Sequence, residues 1–233
     1  VKEWYEAGLI GEVKEVLTWT DRPARGWGFN GQVRTSYPKA EKIPEGMDWN
    51  LWLGPCQEDV PFSRAIHPTT WRPWWSFGCG GLGDIGCHTI DTAYWALGLG
   101  APDKVEVDMT EKANPIHTPN GSTVTYKFPS RGSQPAVDVK WIEGPRLPKA
   151  PTGYDWDIKG NGGFIMVGEK GGISHDGMRP NSPRLYPKSR WEDYRKNANE
   201  RVPKTLKRVP GIHNDWVNGI RNSEMTVSDF SYS

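Results

Sequence analysis

Cysteine is scarce: Cys56, Cys79 and Cys87 are the only three in 233 residues. An odd number without metal-ligand spacing argues against a disulfide framework and against a zinc site. Cys79 and Cys87 flank a glycine-rich turn and read as small packing residues. No apolar run approaches the length of a membrane span. Charge of one sign is also missing, because 29 Lys and Arg balance 28 Asp and Glu to a net +1. Without a basic stripe or acidic tail, nucleic acid and membrane surfaces are poor partners. The mean hydropathy of -0.69 is low for a folded enzyme. With 27 Gly and 20 Pro, it suggests long loops around a modest core. Thirteen Trp offset that deficit, since each buries a large area and can stack on flat or sugar-like ligands.

The chemistry concentrates in one run, Gly78-Cys79-Gly80-Gly81-Leu82-Gly83-Asp84-Ile85-Gly86-Cys87-His88-Thr89-Ile90-Asp91. A glycine turn opens a helix that presents Asp84, His88 and Asp91 at i, i+4 and i+7, with Trp95 in the same arc. Ile85, Ile90, Ala93, Tyr94, Ala96 and Leu97 fill the other side. A carboxylate one turn from an imidazole is a candidate proton-transfer pair. Gly78, Gly80 and Gly83 also spell G-x-G-x-x-G, which binds a dinucleotide only after a buried strand. The preceding Trp71–Phe77 carries Arg72 and Pro73 and no aliphatic run, so it is a poor central strand.

Along the chain, Lys2–Leu9 reads as a helix and Glu12–Thr20 as a strand. A Gly-, Pro- and Arg-rich loop spans Asp21–Glu45, and Asp48–Leu53 is a helical turn. Gly54–Trp75 is irregular and aromatic. The glycine-run helix stops near Gly98. Period-two patterns and turn signals predict strands at Lys104–Asp108, Ser122–Phe128, Ala136–Ile142, Gly163–Val167 and Gly172–His175. A further helix covers Ile212–Arg221. The expected class is α+β: an open, largely antiparallel mixed β-sheet with helices packed on one face. His175 and His213, near element ends, read as structural, and His67 and His117 as loop residues.

Taken together, these residues resemble the C-terminal domain of the glucose–fructose oxidoreductase / inositol dehydrogenase / MocA (Gfo/Idh/MocA) family, which has a dihydrodipicolinate reductase-like fold. The resemblance rests on Leu9-Ile10-Gly11-Glu12-Val13, on Trp71-Arg72 and on Gly80-Gly81 with Asp84, His88 and Asp91. Gly168-Glu169-Lys170-Gly171, His213-Asn214-Asp215-Trp216 and Ser228-Asp229-Phe230 add to it. It implies one substrate-binding and oligomerisation domain over residues 1–233, truncated at both ends and separated from a nucleotide-binding domain upstream. His88 is then the acid/base and Asp84 its partner. Asp91, Trp75, Trp95 and Tyr186 line the substrate side, and Trp71 and Arg72 face the nicotinamide. The parent would use NAD or NADP on a sugar or polyol and assemble as a homo-oligomer through the sheet face. This chain alone is not expected to hold the dinucleotide tightly, and no metal is expected. Two alternatives stay open: a redox-assisted glycosidase domain and a non-catalytic carbohydrate-binding or oligomerisation module.

Overall fold

The computed structural model describes residues 1–25, 27 and 32–232. Its elements are α1 (Lys2–Glu6), β1 (Val13–Thr20), α2 (Trp49–Leu53), α3 (Gly80–Leu97), β2 (Lys104–Met109), β3 (Ser122–Phe128), β4 (Val137–Glu143), β5 (Gly163–Gly168), β6 (Gly171–Asp176), β7 (Arg184–Tyr186), α4 (Lys188–Lys196) and α5 (Ile212–Asn222). Seven strands form one sheet in the order β2-β3-β4-β1-β5-β6-β7. Only β1 and β4 run parallel; every other neighbouring pair is antiparallel. The mixed open sheet is the architecture expected from the sequence.

β1 is central, and its second half, Val16–Thr20, is buried at every position. That explains its imperfect alternation: both faces are covered, so both must be apolar or satisfied. Toward one face, Val13 and Val16 join Val137, Val139, Phe164, Met166 and Ile173 beneath Ala93, Ala96 and Leu97 of α3. Trp4 of α1 and Trp191 and Tyr194 of α4 pack against this same cluster, so these helices share one face. Toward the other face, Leu17, Trp19, Ile142, Ile165 and Tyr186 are roofed by Tyr154, Trp156 and Ile158 from the β4–β5 connection. The Trp19 indole N–H donates to the Lys159 carbonyl at 2.7 Å and fixes that roof. Gly163 makes room for the ring, since a Cβ there would lie 2.2 Å from it.

Several details differ from expectation. α1 stops at Glu6, short of Leu9. β4 extends to Glu143, one residue further than its apolar pattern. β7 and α4 were not legible, because three residues give no period and α4 buries none of its residues. Cys79 and Cys87 are exposed rather than packed. The described residues fall into two compact units, Val1–Arg201 and Val202–Ser233. In the second, the buried Asp215 of α5 accepts the Val227 backbone N–H at 2.8 Å and lies 3.6 Å from the Lys207 ammonium.

Candidate functional site on helix α3

The glycines before and within α3 serve packing. A Cβ on Gly78 would lie 2.3 Å from the Arg72 carbonyl oxygen, and one on Gly80 2.9 Å from the Thr118 hydroxyl. A Cβ on Gly81 would lie 2.4 Å from a Glu143 carboxylate oxygen. The residues before the turn form no strand, only one isolated bridge between Trp74 and His117. The space that a dinucleotide fingerprint leaves for pyrophosphate is therefore filled by the chain itself. The helix ends as predicted, with Gly98 in the left-handed conformation and its N–H on the Tyr94 carbonyl.

α3 buries Ile85, Thr89, Thr92, Ala93, Ala96 and Leu97 and turns Asp84, Cys87, His88, Asp91 and Trp95 outward. The outward stripe is the predicted chemical front, with one change in pairing. Asp84 accepts from Arg72 Nε at 2.8 Å, not from His88. Arg72 is held on three further sides: Nη1 donates to the Thr69 carbonyl at 2.8 Å, and the guanidinium lies over the rings of Trp71 (4.9 Å) and Trp27 (5.8 Å). Both partners keep 27% side-chain exposure, so the pair stands at the rim of the fold and not inside it. The half-buried His88 ring has no hydrogen bond or ion pair among the described residues. Asp91 is exposed. Trp95 is 45% exposed, with the Lys2 ammonium 5.4 Å from its ring. Trp75 is similarly exposed, its indole N–H on the Asn114 carbonyl.

The structure thus brings Arg72, Trp71 and Asp84 together, with His88 one turn along the same helix. It does not bring Tyr186 to them. Tyr186 lies with Leu17 and Trp19 across the sheet from α3, its hydroxyl buried and without a partner. Burial pushes that hydroxyl's pKa upward. Among the described residues no three His, Cys, Asp or Glu side chains converge as a metal site.

Sequence reasoning missed Glu143. It is 4% exposed and accepts from Ser122 Oγ at 2.8 Å and from the Trp141 indole at 3.0 Å. Burial pushes its pKa up to about 6. The signal was present: Val137, Val139, Trp141 and Glu143 continue one inward period-two row, and an acid at its end calls for a buried partner.

Comparison with known proteins places this architecture. No curated protein matches the chain. Among solved structures, a levoglucosan dehydrogenase in complex with NADH and levoglucosan is 17% identical; the match covers 99% of this chain and 55% of that one, with a TM-score of 0.49. The WlbA dehydrogenase of Bordetella pertussis, in complex with NADH and UDP-GlcNAcA, is 15% identical over 79% of this chain and 40% of that one, at a TM-score of 0.39. An oxidoreductase from Agrobacterium radiobacter, in complex with NAD+, L-tartaric acid and magnesium, is 14% identical over 97% and 52%, at 0.38. The chain thus spans about half the length of the solved structures it matches. Residues 1–159 match the family model described as the oxidoreductase family's C-terminal alpha/beta domain. The chain belongs to the Gfo/Idh/MocA oxidoreductase family, as its C-terminal α/β domain.

Proposed function

We propose that this is the substrate-binding domain of an NAD(P)-dependent oxidoreductase acting on a sugar or polyol hydroxyl. The observation that carries the reading is the outward face of α3, where an immobilised Arg72–Asp84 pair adjoins an unengaged imidazole. Hydride departure from a carbinol carbon needs a base for the hydroxyl proton, and an imidazole titrates in the right range. In this reading His88 takes that proton, and returns it in the reducing direction. Asp84, held by Arg72, accepts a hydrogen bond from a neighbouring hydroxyl and fixes the ring. Asp91, Trp75 and Trp95 supply a polar contact and ring faces for the rest of the substrate.

NAD or NADP, when bound, supplies the hydride acceptor or donor. The filled glycine turn offers it no pyrophosphate cradle. Trp71 and Arg72, at the rim of the same site, are the positions that would face its nicotinamide end. The dinucleotide is assigned to a domain upstream. Assembly through the sheet is supported by β2, whose six residues are all exposed, with Val105 and Val107 at 50% and 57%.

The test is kinetic. Joined to the upstream nucleotide domain, the protein is expected to reduce NAD or NADP with a member of a sugar and polyol panel. His88→Asn is expected to lower kcat by about 100-fold or more while leaving nucleotide affinity unchanged. Full turnover in that variant would remove His88 from the chemistry.

A further inference from the structure

We propose that Glu143 is a positioning residue for the α3 site: its buried carboxylate seats the first turn of the helix and so sets where the Arg72–Asp84 pair stands. The inference rests on the reading of that pair as part of the functional face. Cys79, the N-cap residue, makes no side-chain cap bond, so the helix supplies no local acceptor of its own. A negative group comes instead from the end of β4. The Glu143 carboxylate lies against the Gly81 backbone in the first turn, and its bonds to Ser122 and Trp141 anchor it to β3 and β4. Gly81 is the hollow that lets it approach, since a Cβ there would overlap the carboxylate. A negative charge at this end of an 18-residue helix is favoured by the aligned peptide dipoles.

The same turn holds both members of the site pair. The Gly80 N–H donates to the Arg72 carbonyl at 3.0 Å, and Gly78 packs against that carbonyl. Asp84 follows Leu82 by two residues and receives the Arg72 side chain. A shift of the Gly80–Leu82 backbone must therefore move both. The charged groups on the neighbouring elements are committed elsewhere. Asp84 pairs with Arg72, and Asp21 and Arg22 after β1 pair with each other at 3.0 Å. On β3 the nearby titratable group is Tyr126, whose own pKa is raised by burial and then by Glu143. Protonation of Glu143 removes the charge under the helix, and it falls near pH 6.

The experiment is a pH titration of the 15N-labelled chain by NMR, following the Leu82 amide, the Trp141 indole N–H and the Arg72 Nε–H. All samples carry His88→Asn, which removes the imidazole from α3. The expected result is one shared midpoint near 6 for all three signals, abolished together in Glu143→Gln. Gln keeps an acceptor for Trp141, and the Ser122 hydroxyl can turn to accept from its amide. If Leu82 and Trp141 titrate while Arg72 stays fixed, Glu143 supports the core without positioning the site, and the proposal falls. If none of the three titrates, the carboxylate is not coupled to the helix, and it falls also. Because the readout is the ion pair and not turnover, an inactive parent enzyme with a titrating Arg72 would count against the catalytic reading alone.

Discussion

His175 gives this fold an acid-labile point that can be worked through quantitatively. It stands near the end of β6, 1% exposed, its ring stacked on Phe164 with centroids 5.1 Å apart and planes within 9°. Neither ring nitrogen finds a hydrogen-bond partner of good geometry. Burial pushes its pKa down to about 4, against an ordinary value of about 6.5. A folded value below the unfolded one means that the associated stability is fully present above pH ~6.5. It drains away as the pH falls toward and through the folded value of about 4. At about 1.4 kcal/mol per unit, the loss amounts to about 3 kcal/mol, a large share of the ~5–15 kcal/mol that holds a domain together. The perturbation is His175→Phe, which keeps a ring on Phe164 and removes the titration. Urea unfolding at pH 7, 6, 5 and 4.5 measures it, with the variant losing about 2 kcal/mol less than the wild type across that range. The extra volume of Phe costs about 1–3 kcal/mol, but equally at every pH, so the difference in slope is the signal. Parallel curves for the two proteins would refute the argument. Glu143 works in the opposite direction: its folded value of about 6 lies above the unfolded one, so its contribution is full below pH ~4.5 and is lost as the pH rises through 6. The Glu143→Gln protein should therefore lose more stability between pH 6 and 4.5 than the wild type does.

Other consequences can be checked singly. Tyr186→Phe removes a buried hydroxyl that has no partner, so Tm by calorimetry should hold or rise, by up to about 1 kcal/mol of stability; a clear fall would show that the hydroxyl is bonded. Gly163→Ala drives a methyl into the Trp19 ring and should destabilise by about 3 kcal/mol in urea, with a red-shifted tryptophan emission. Asp215→Ala strips the acceptor from the Val227 N–H and should raise hydrogen exchange at Val227 while leaving the sheet amides protected. If β2 is an assembly edge, Val107→Lys should convert an oligomer to monomer in light scattering without lowering Tm.

What could be read in the sequence was whatever depends on local period and local chemistry. Val124 and Phe128, like Val137, Val139 and Trp141, mark their strands because a side chain two residues on returns to the same face of a sheet. The outward stripe of Asp84, His88, Asp91 and Trp95 follows from 3.6 residues per turn in the same way. Gly98 ends α3 because a left-handed residue there costs glycine nothing. Tertiary structure alone decided how those stripes are used. Asp84 turned to Arg72, twelve residues back, because an irregular aromatic segment folds under the helix start, and no periodicity encodes where such a segment goes. Tyr186 lies across the sheet from α3 because a three-residue strand has a face only once its pairing with β6 is set. Glu143 could be placed under Gly81 only by bringing the end of β4 to the start of α3, more than fifty residues earlier. A long-range contact of that kind is fixed by packing and desolvation, which act on neighbours in space, and the linear order of residues lists neighbours only along the chain.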